Sequence, residues 1–461
     1  MTVTLVIPDS IARQLDAIVA HPLEMAGVLL VSVVKVAPEQ LRLLAREYHG
    51  VNPSSYLRRL DDALTITSDG YVSALARADQ LGTSALWVHT HPGEGASPLP
   101  SRHDEIVDSQ LAEPFRLRSG SDWYGALVLS PSNGGLRFSG HIAEERGPRL
   151  RVERLWRVGN RFRLTHAVGR EPLDVLSLYD RNVRAFGTAV QTTLSDLTVG
   201  VVGCGGTGSA VTEQLVRLGV RRFVLIDPDT LSASNLTRVY GSRAEDVGRR
   251  KVDVAIAHLR SIAPDVAAEA VPSMLTVVEA AKRLLPCDVV FGCTDDNAGR
   301  LVLSRIPTYL LTPVIDCGVL LSSGRAGELT GIDGRVTVVL PEDACLVCRD
   351  RIDIARAGAE MLTPEERRRL EGEGYAPALG RVEPAVVTYT SMVAAYSVSE
   401  LLERLIGYGP TPRPTEMLLR CHEREISTNL ARSRPNHYCD PAATKVGKGV
   451  TDAFLDMAWT H

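Results

Sequence analysis

An apolar run, Thr198 to Val202, breaks into Gly203-Cys204-Gly205-Gly206-Thr207-Gly208. A helix-forming segment, Ser209 to Leu218, follows, and then a second apolar run, Arg222 to Ile226. Few backbones satisfy that order. Glycines admit a tight turn and let a phosphate approach the main chain, and a helix start adds partial positive charge. Strand, glycine turn, helix and strand together build a parallel sheet covered by helices. The C-terminal part of the chain is therefore read as α/β, with a Rossmann-like, doubly wound sheet. Asp227 ends the second strand, 24 residues past Gly203, where a carboxylate can take ribose hydroxyls.

That much also fits a nicotinamide-dependent oxidoreductase. The residues after Asp227 favour another reaction. Asp229 comes next, then Asn235 and Arg238 in SNLTR, then Lys251 in GRRK. Further on, a strand over Asp288 to Phe291 runs into Cys293-Thr294-Asp295-Asp296. Hydride transfer has no use for this set, whereas adenylation does. Arg238 and Lys251 can neutralise the β- and γ-phosphates of ATP, and Asp295 can hold Mg²⁺.

The N-terminal third carries a separate constellation. His89 and His91 stand two apart at the end of a strand, so both imidazoles point to one side, and Asp104 follows. Two histidines and a carboxylate leave the fourth position of Zn²⁺ for water, whose pKa falls to about 7. Glu24, where a helix meets the Val28 to Val36 strand, is the candidate general base. Ser101 can steady a tetrahedral oxyanion. His103 is expected on the surface.

These N-terminal residues resemble the JAB/MPN (JAMM) metallopeptidases. The resemblance implies an α/β zinc peptidase cutting after the terminal glycine of ubiquitin-like tails, with His89, His91 and Asp104 as ligands, Glu24 as base and Ser101 as oxyanion helper. Residues 176 to about 405 resemble the ThiF/MoeB/HesA enzymes, relatives of ubiquitin-activating enzymes. That resemblance implies adenylation of a C-terminal glycine, with Gly203, Gly205, Gly206, Gly208, Asp227, Asp229, Asn235, Arg238, Lys251 and Asp295 around ATP and Mg²⁺. Tyr179-Asp180-Arg181-Asn182 followed by Gly187 is similar to the segment whose arginine reaches the neighbouring subunit's ATP, so Arg181 implies a homodimer.

Family members pair one C-x-x-C with a later one around structural zinc. Here Cys345 and Cys348 form the first, and the later segment, PNHYC, offers Cys439 with Asn436 in place of a cysteine. His437, Cys421 or His422 are the open choices for the fourth ligand. A thioester, if formed, would fall on Cys317, Cys421 or Cys439, because the charged loop from Arg349 to about Glu383 contains no cysteine. Otherwise the adenylate passes to a conjugating enzyme or a sulfur donor.

The expected organisation is a JAB/MPN domain over 1–145, an arginine-rich linker over 146–175 and an adenylation domain over 176–461. The segment 144–171 holds eight arginines and no lysine, and is read as a solvated strand pair or linker, with a docking surface for an acidic partner as the sharper alternative. The net charge of −4 argues against nucleic acid as a partner. No apolar run is long enough for a bilayer, and the N-terminus lacks a signal-peptide pattern, so the expected location is cytoplasmic. The combined expectation is a bifunctional enzyme acting on the glycine tail of a ubiquitin-like protein. Activation of a sulfur carrier and a nonenzymatic tail-binding scaffold are the alternatives.

Overall fold

The computed structural model describes residues 1–133, 135–169, 177–323, 328–362, 364–372 and 385–459. The chain divides into two compact units, one of residues 1–172 with 446–450 and one of residues 173–445 with 451–461.

The first unit runs β1 (Thr2–Pro8), α1 (Asp9–Val19), β2 (Ala26–Ala37), β3 (Gln40–Gly50), β4 (Tyr56–Arg59) and β5 (Leu64–Ile66). It continues with α2 (Asp69–Leu81), β6 (Ser84–Thr90), α3 (Arg102–Ser119), β7 (Trp123–Ser132), β8 (Gly135–Glu144), β9 (Leu150–Val158) and β10 (Arg163–His166). Its main sheet has the order β1-β3-β2-β6-β7-β8-β9-β10, and β1 also pairs with β9, so the sheet closes on itself. Strand alternation divides the core in two. On β6, Leu86 and Val88 join the α1 side with Ile11 and Leu15, whereas Ala85 and Trp87 join the α2/α3 side with Leu75 and Phe115. His89 has the parity of Ala85 and Trp87, which directs it toward α3.

The stretch expected as a linker is largely sheet. β9 pairs in parallel with β1, and β10 pairs with β9. Val152, Leu155 and Trp156 are buried. Arg157 bonds Asp9 at 3.1 Å and Asp16 at 2.7 Å on α1, so this arginine anchors a helix of its own unit. β9 and β10 are the strand pair that was the other reading of this segment, with β9 partly buried rather than solvated. Residues 170–175 of the expected linker lie outside the described residues.

The second unit runs α4 (Asp180–Phe186), α5 (Thr188–Asp196), β11 (Thr198–Val202), α6 (Gly206–Arg217), β12 (Arg222–Ile226), α7 (Lys251–Ile262), β13 (Ala267–Val271), α8 (Val278–Lys282), β14 (Val289–Gly292) and α9 (Asn297–Leu310). Next come β15 (Val314–Ser323), β16 (Leu329–Val339), α10 (Ile354–Glu360), α11 (Pro364–Gly372), α12 (Val387–Ile406), β17 (Glu416–Arg420) and β18 (Glu425–Asn429). The sheet order is β13-β12-β11-β14-β15-β16-β17-β18. The first five strands are parallel, and β16 to β18 add antiparallel. Chain order reverses between β11 and β14, which opens a crevice at the carboxyl ends of those strands. The helix expected from Ser209 begins at Gly206, inside the glycine turn. Residue 363 and residues 373–383 of the charged loop lie outside the described residues. No helix among the described residues is long and apolar enough to cross a membrane.

Candidate functional sites at strand ends

The glycine turn sits at the carboxyl end of β11. Gly203 has φ +91°, a conformation that favours glycine, and its N–H donates to Ile226 O at 2.8 Å. The next N–H, of Cys204, donates to Asp227 Oδ2 at 2.6 Å. α6 then starts with no side-chain cap, so its first N–H groups remain available to phosphate. The turn tolerates no added carbon. A Cβ on Gly208 would stand 1.8 Å from Gly203 O, and one on Gly203 would stand 2.6 Å from Cys293 O. Gly208→Ala is therefore expected to weaken ATP binding by about 100-fold or more, since the backbone must move where phosphate approaches. Titration with a fluorescent ATP analogue checks this, and unaltered affinity would remove the turn from the nucleotide site.

Adjacent parallel strands deliver the remaining groups to the same edge. Asp227, at the end of β12, is buried; desolvation lifts its carboxyl above the usual range, against the pull of Lys251 and of two backbone N–H groups. Lys251 opens α7 and lies 2.7 Å from Asp229 and 3.9 Å from Asp227. The stem of Arg238 crosses Gly206, where a Cβ would meet it at 3.3 Å, and its guanidinium donates to Ser234 O at 3.1 Å. Asn235, expected at the nucleotide, uses Oδ1 to accept from Ser232 N at 3.1 Å, so it shapes the turn that carries Arg238. Asp295 is exposed in the loop after β14, the loop whose Cys293 touches Gly203. Its neighbour Asp296 caps α9 through Gly299 N–H.

Arg181 does not join this set. It is exposed on α4, two residues after Tyr179. The Tyr179 ring packs beneath Arg221, 5.6 Å from its guanidinium, at the amino end of β12. The glycine turn lies at the opposite edge, about 18 Å away along the twelve residues of α6.

A second cluster gathers Cys345, Cys348, His437 and Cys439, whose donor atoms all lie within 4.8 Å of one another. His437 Nδ1 is 3.6, 3.4 and 3.2 Å from the sulfurs of Cys345, Cys348 and Cys439. The structure thus selects His437 among the open choices. His422 instead accepts from Ile332 N, and Cys421 Sγ lies against Met392. The Cys439 thiol stabilises the Cys345 thiolate, drawing its pKa down to about 4, and the thiolate is the form zinc binds. Three sulfurs and one imidazole fit structural zinc. Cys348→Ser is expected to remove about one zinc per chain and lower the thermal midpoint by several degrees. Metal analysis with a melting curve checks this, and a metal-free, fully stable wild type would dismiss it. Of the other thioester candidates, Cys317 is buried and Cys421 is partly exposed.

In the first unit, His89 and His91 converge on Asp104 at 3.3 and 3.4 Å. Both ring nitrogens of His89 are buried, and beyond the 3.3 Å approach of Nε2 to Asp104 neither makes a hydrogen bond, a costly state for an imidazole that a metal would relieve. His91 Nδ1 meets Ser97 O at 2.8 Å, which leaves Nε2 to face Asp104. Burial works to raise the Asp104 carboxyl, but both imidazoles and the Ser101 N–H hold it well below the usual range. Ser101 has a structural task that spacing did not announce. It caps α3, accepting from Asp104 N while its own N–H donates to Asp104 Oδ2 at 2.6 Å, so its contacts orient the third ligand. His103 is exposed. Glu24 is buried beside this site, and burial is the main cause of its carboxyl being raised to about 7. Two bonds of 2.9 Å between Met25 and Thr90 tie its neighbour to the strand end between the histidines.

Residues 179–440 match the ThiF family. Ubiquitin-like modifier-activating enzyme 5 of Oryza sativa subsp. japonica is 27% identical over 230 residues, 47% of this chain and 49% of that protein. Adenylyltransferase and sulfurtransferase uba4 of Emericella nidulans is 36% identical over 143 residues, 31% of this chain and 30% of that protein. Molybdopterin-synthase adenylyltransferase of Escherichia coli is 29% identical over 235 residues, 50% of this chain and 82% of that protein. The chain thus spans half or less of the length of the first two relatives.

Proposed function

The chain belongs to the ThiF family, and on that premise we propose that its second unit uses ATP and Mg²⁺ to adenylate the C-terminal glycine of a ubiquitin-like or sulfur-carrier protein. The observation that carries this is the meeting of the glycine turn, Asp227, Lys251 and the Asp295 loop at one sheet edge. Asp227 takes the ribose, the start of α6 takes phosphate oxygens, and Lys251 and Arg238 draw charge toward the leaving pyrophosphate. The glycine carboxylate attacks the α-phosphorus, the bond to the β-phosphate oxygen breaks, and pyrophosphate departs. Arg181, far from its own chain's turn, acts on a second copy's nucleotide. The relatives' printed names, a modifier-activating enzyme and two adenylyltransferases, support this reading.

For the first unit the proposal is a JAB/MPN-type zinc peptidase acting on the same kind of tail. His89, His91 and Asp104 would hold the metal, which when bound supplies hydroxide and polarises the scissile carbonyl. Glu24, with its raised carboxyl, takes the water proton and returns it to the leaving amine. The deciding measurement is ATP–pyrophosphate exchange by the whole chain with small proteins ending in glycine. ATP binding without exchange against any of them would sink the choice of acceptor; failure to bind ATP would sink adenylation itself.

A further inference from the structure

Asp316 is a buried carboxylate that none of the chemistry above uses. It lies on β15, in register with Gly292 at the end of β14, and its side chain is fully buried. Arg335, from β16, donates from Nη2 to Asp316 Oδ2 at 2.6 Å. Arg300, in the first turn of α9, places Nε 3.4 Å from Oδ1 and donates from Nη2 to Cys317 O at 3.3 Å. Two guanidiniums share one carboxylate, so the group keeps a formal excess of one positive charge. Nε of Arg335 is buried without a hydrogen-bond partner, and Nε of Arg300 and Oδ1 of Asp316 have only their 3.4 Å approach to each other. As a purely structural device this cluster is expensive, because apolar residues would fill the space at less cost.

The two arginines meet over a glycine. Gly318 follows Asp316 by two, on the same face of β15, and pairs with Arg335. A Cβ there would stand 3.4 Å from Arg300 Nη2 and 3.6 Å from Arg335 Nη2. The arginine side chains keep 15% and 18% of their surface exposed, so part of each can be reached from solvent.

Position names that ligand. Ribose and phosphates occupy the β12 to β14 side of the edge, which leaves the β15 side for the incoming tail. Strands about 4.8 Å apart put β15 roughly 10 Å from β11. An extended chain covers about 3.3 Å per residue, so a tail with its carboxylate at the phosphates has its third residue from the end near Gly318. We infer that Arg300 and Arg335, converging over Gly318, receive an aspartate or glutamate side chain close to the tail's terminal glycine. The inference rests on the adenylation reading and adds a sequence preference to it. Bidentate guanidinium–carboxylate contact supplies the selectivity.

The test uses the whole chain loaded with Mg²⁺ and a non-hydrolysable ATP analogue. The probes are three fluorescent decapeptides ending in Gly-Gly that carry Glu, Gln or Lys third from the end. Wild type is expected to bind the Glu peptide about 10-fold tighter than the Gln peptide and the Lys peptide weakest. Arg335→Gln should cut the Glu-over-Gln ratio to below about 3. Gly318→Val should do the same with both arginines and Asp316 kept, which covers the chance that Arg335→Gln folds poorly. Affinity for the ATP analogue should stay unchanged in both variants. The assignment is overturned if wild type lacks the preference or binds none of the peptides, if the preference survives both variants, or if nucleotide affinity falls with it, which would give the arginines to phosphate. Loss of analogue binding in wild type would instead indict the adenylation reading.

Discussion

Asp295→Ala in the whole chain is expected to lower ATP–pyrophosphate exchange by about 10²–10³-fold, the usual range for removing a group that organises developing charge. The side chain is exposed, so the loss should come without a fall in stability. Its neighbour supplies the contrast. Asp296 caps α9, and Asp296→Ala should cost about 1 kcal/mol of stability with a smaller effect on exchange. Raising Mg²⁺ should partly restore Asp295→Ala and leave Asp296→Ala unmoved. Exchange at wild-type rate in Asp295→Ala would place Mg²⁺ elsewhere and empty the β14 loop of its role.

In the first unit, Glu24→Gln should abolish cleavage of a glycine-ended fusion, by about 10²–10⁴-fold, while its zinc stays bound. Glutamine keeps the size of the side chain but cannot take a proton. His89→Ala should remove both cleavage and about one zinc per chain, because His89 is a buried imidazole that converges with His91 on Asp104. Adenylation should persist in both variants, since the two sites belong to separate units. Cleavage by metal-loaded Glu24→Gln would assign the base to another group. Retention of both zincs by His89→Ala would break the ligand set.

Much of each site was legible because its spacing is local. H-x-H at a strand end fixes the parity of two imidazoles, and a glycine turn between strand and helix fixes a phosphate-sized cradle. Sequence spacing did not show that Ser101 also caps α3, because its bonds to Asp104 form only once the helix does; they use its backbone N–H and an Oγ lone pair, and leave the hydroxyl hydrogen for the oxyanion part proposed for it. The bond from Ser232 N to Asn235 Oδ1, which shapes the turn before Arg238, had no sign in the spacing. The arginines of 144–171 suggested solvent, yet Arg157 turns inward to two aspartates.

Sequence alone determined the parallel sheet of the second unit, the glycine turn at its edge, and the grouping of His89, His91 and Asp104, since periodicity and turn geometry act within a few residues. Tertiary structure decided what depends on distant partners. It brought His437, 89 residues from Cys348, in among the three cysteine sulfurs. It returned β9 to pair with β1, and it set Arg300 and Arg335 around Asp316 over Gly318. Such meetings follow from which faces of far-apart strands and helices bury together, and no interval along the chain encodes that.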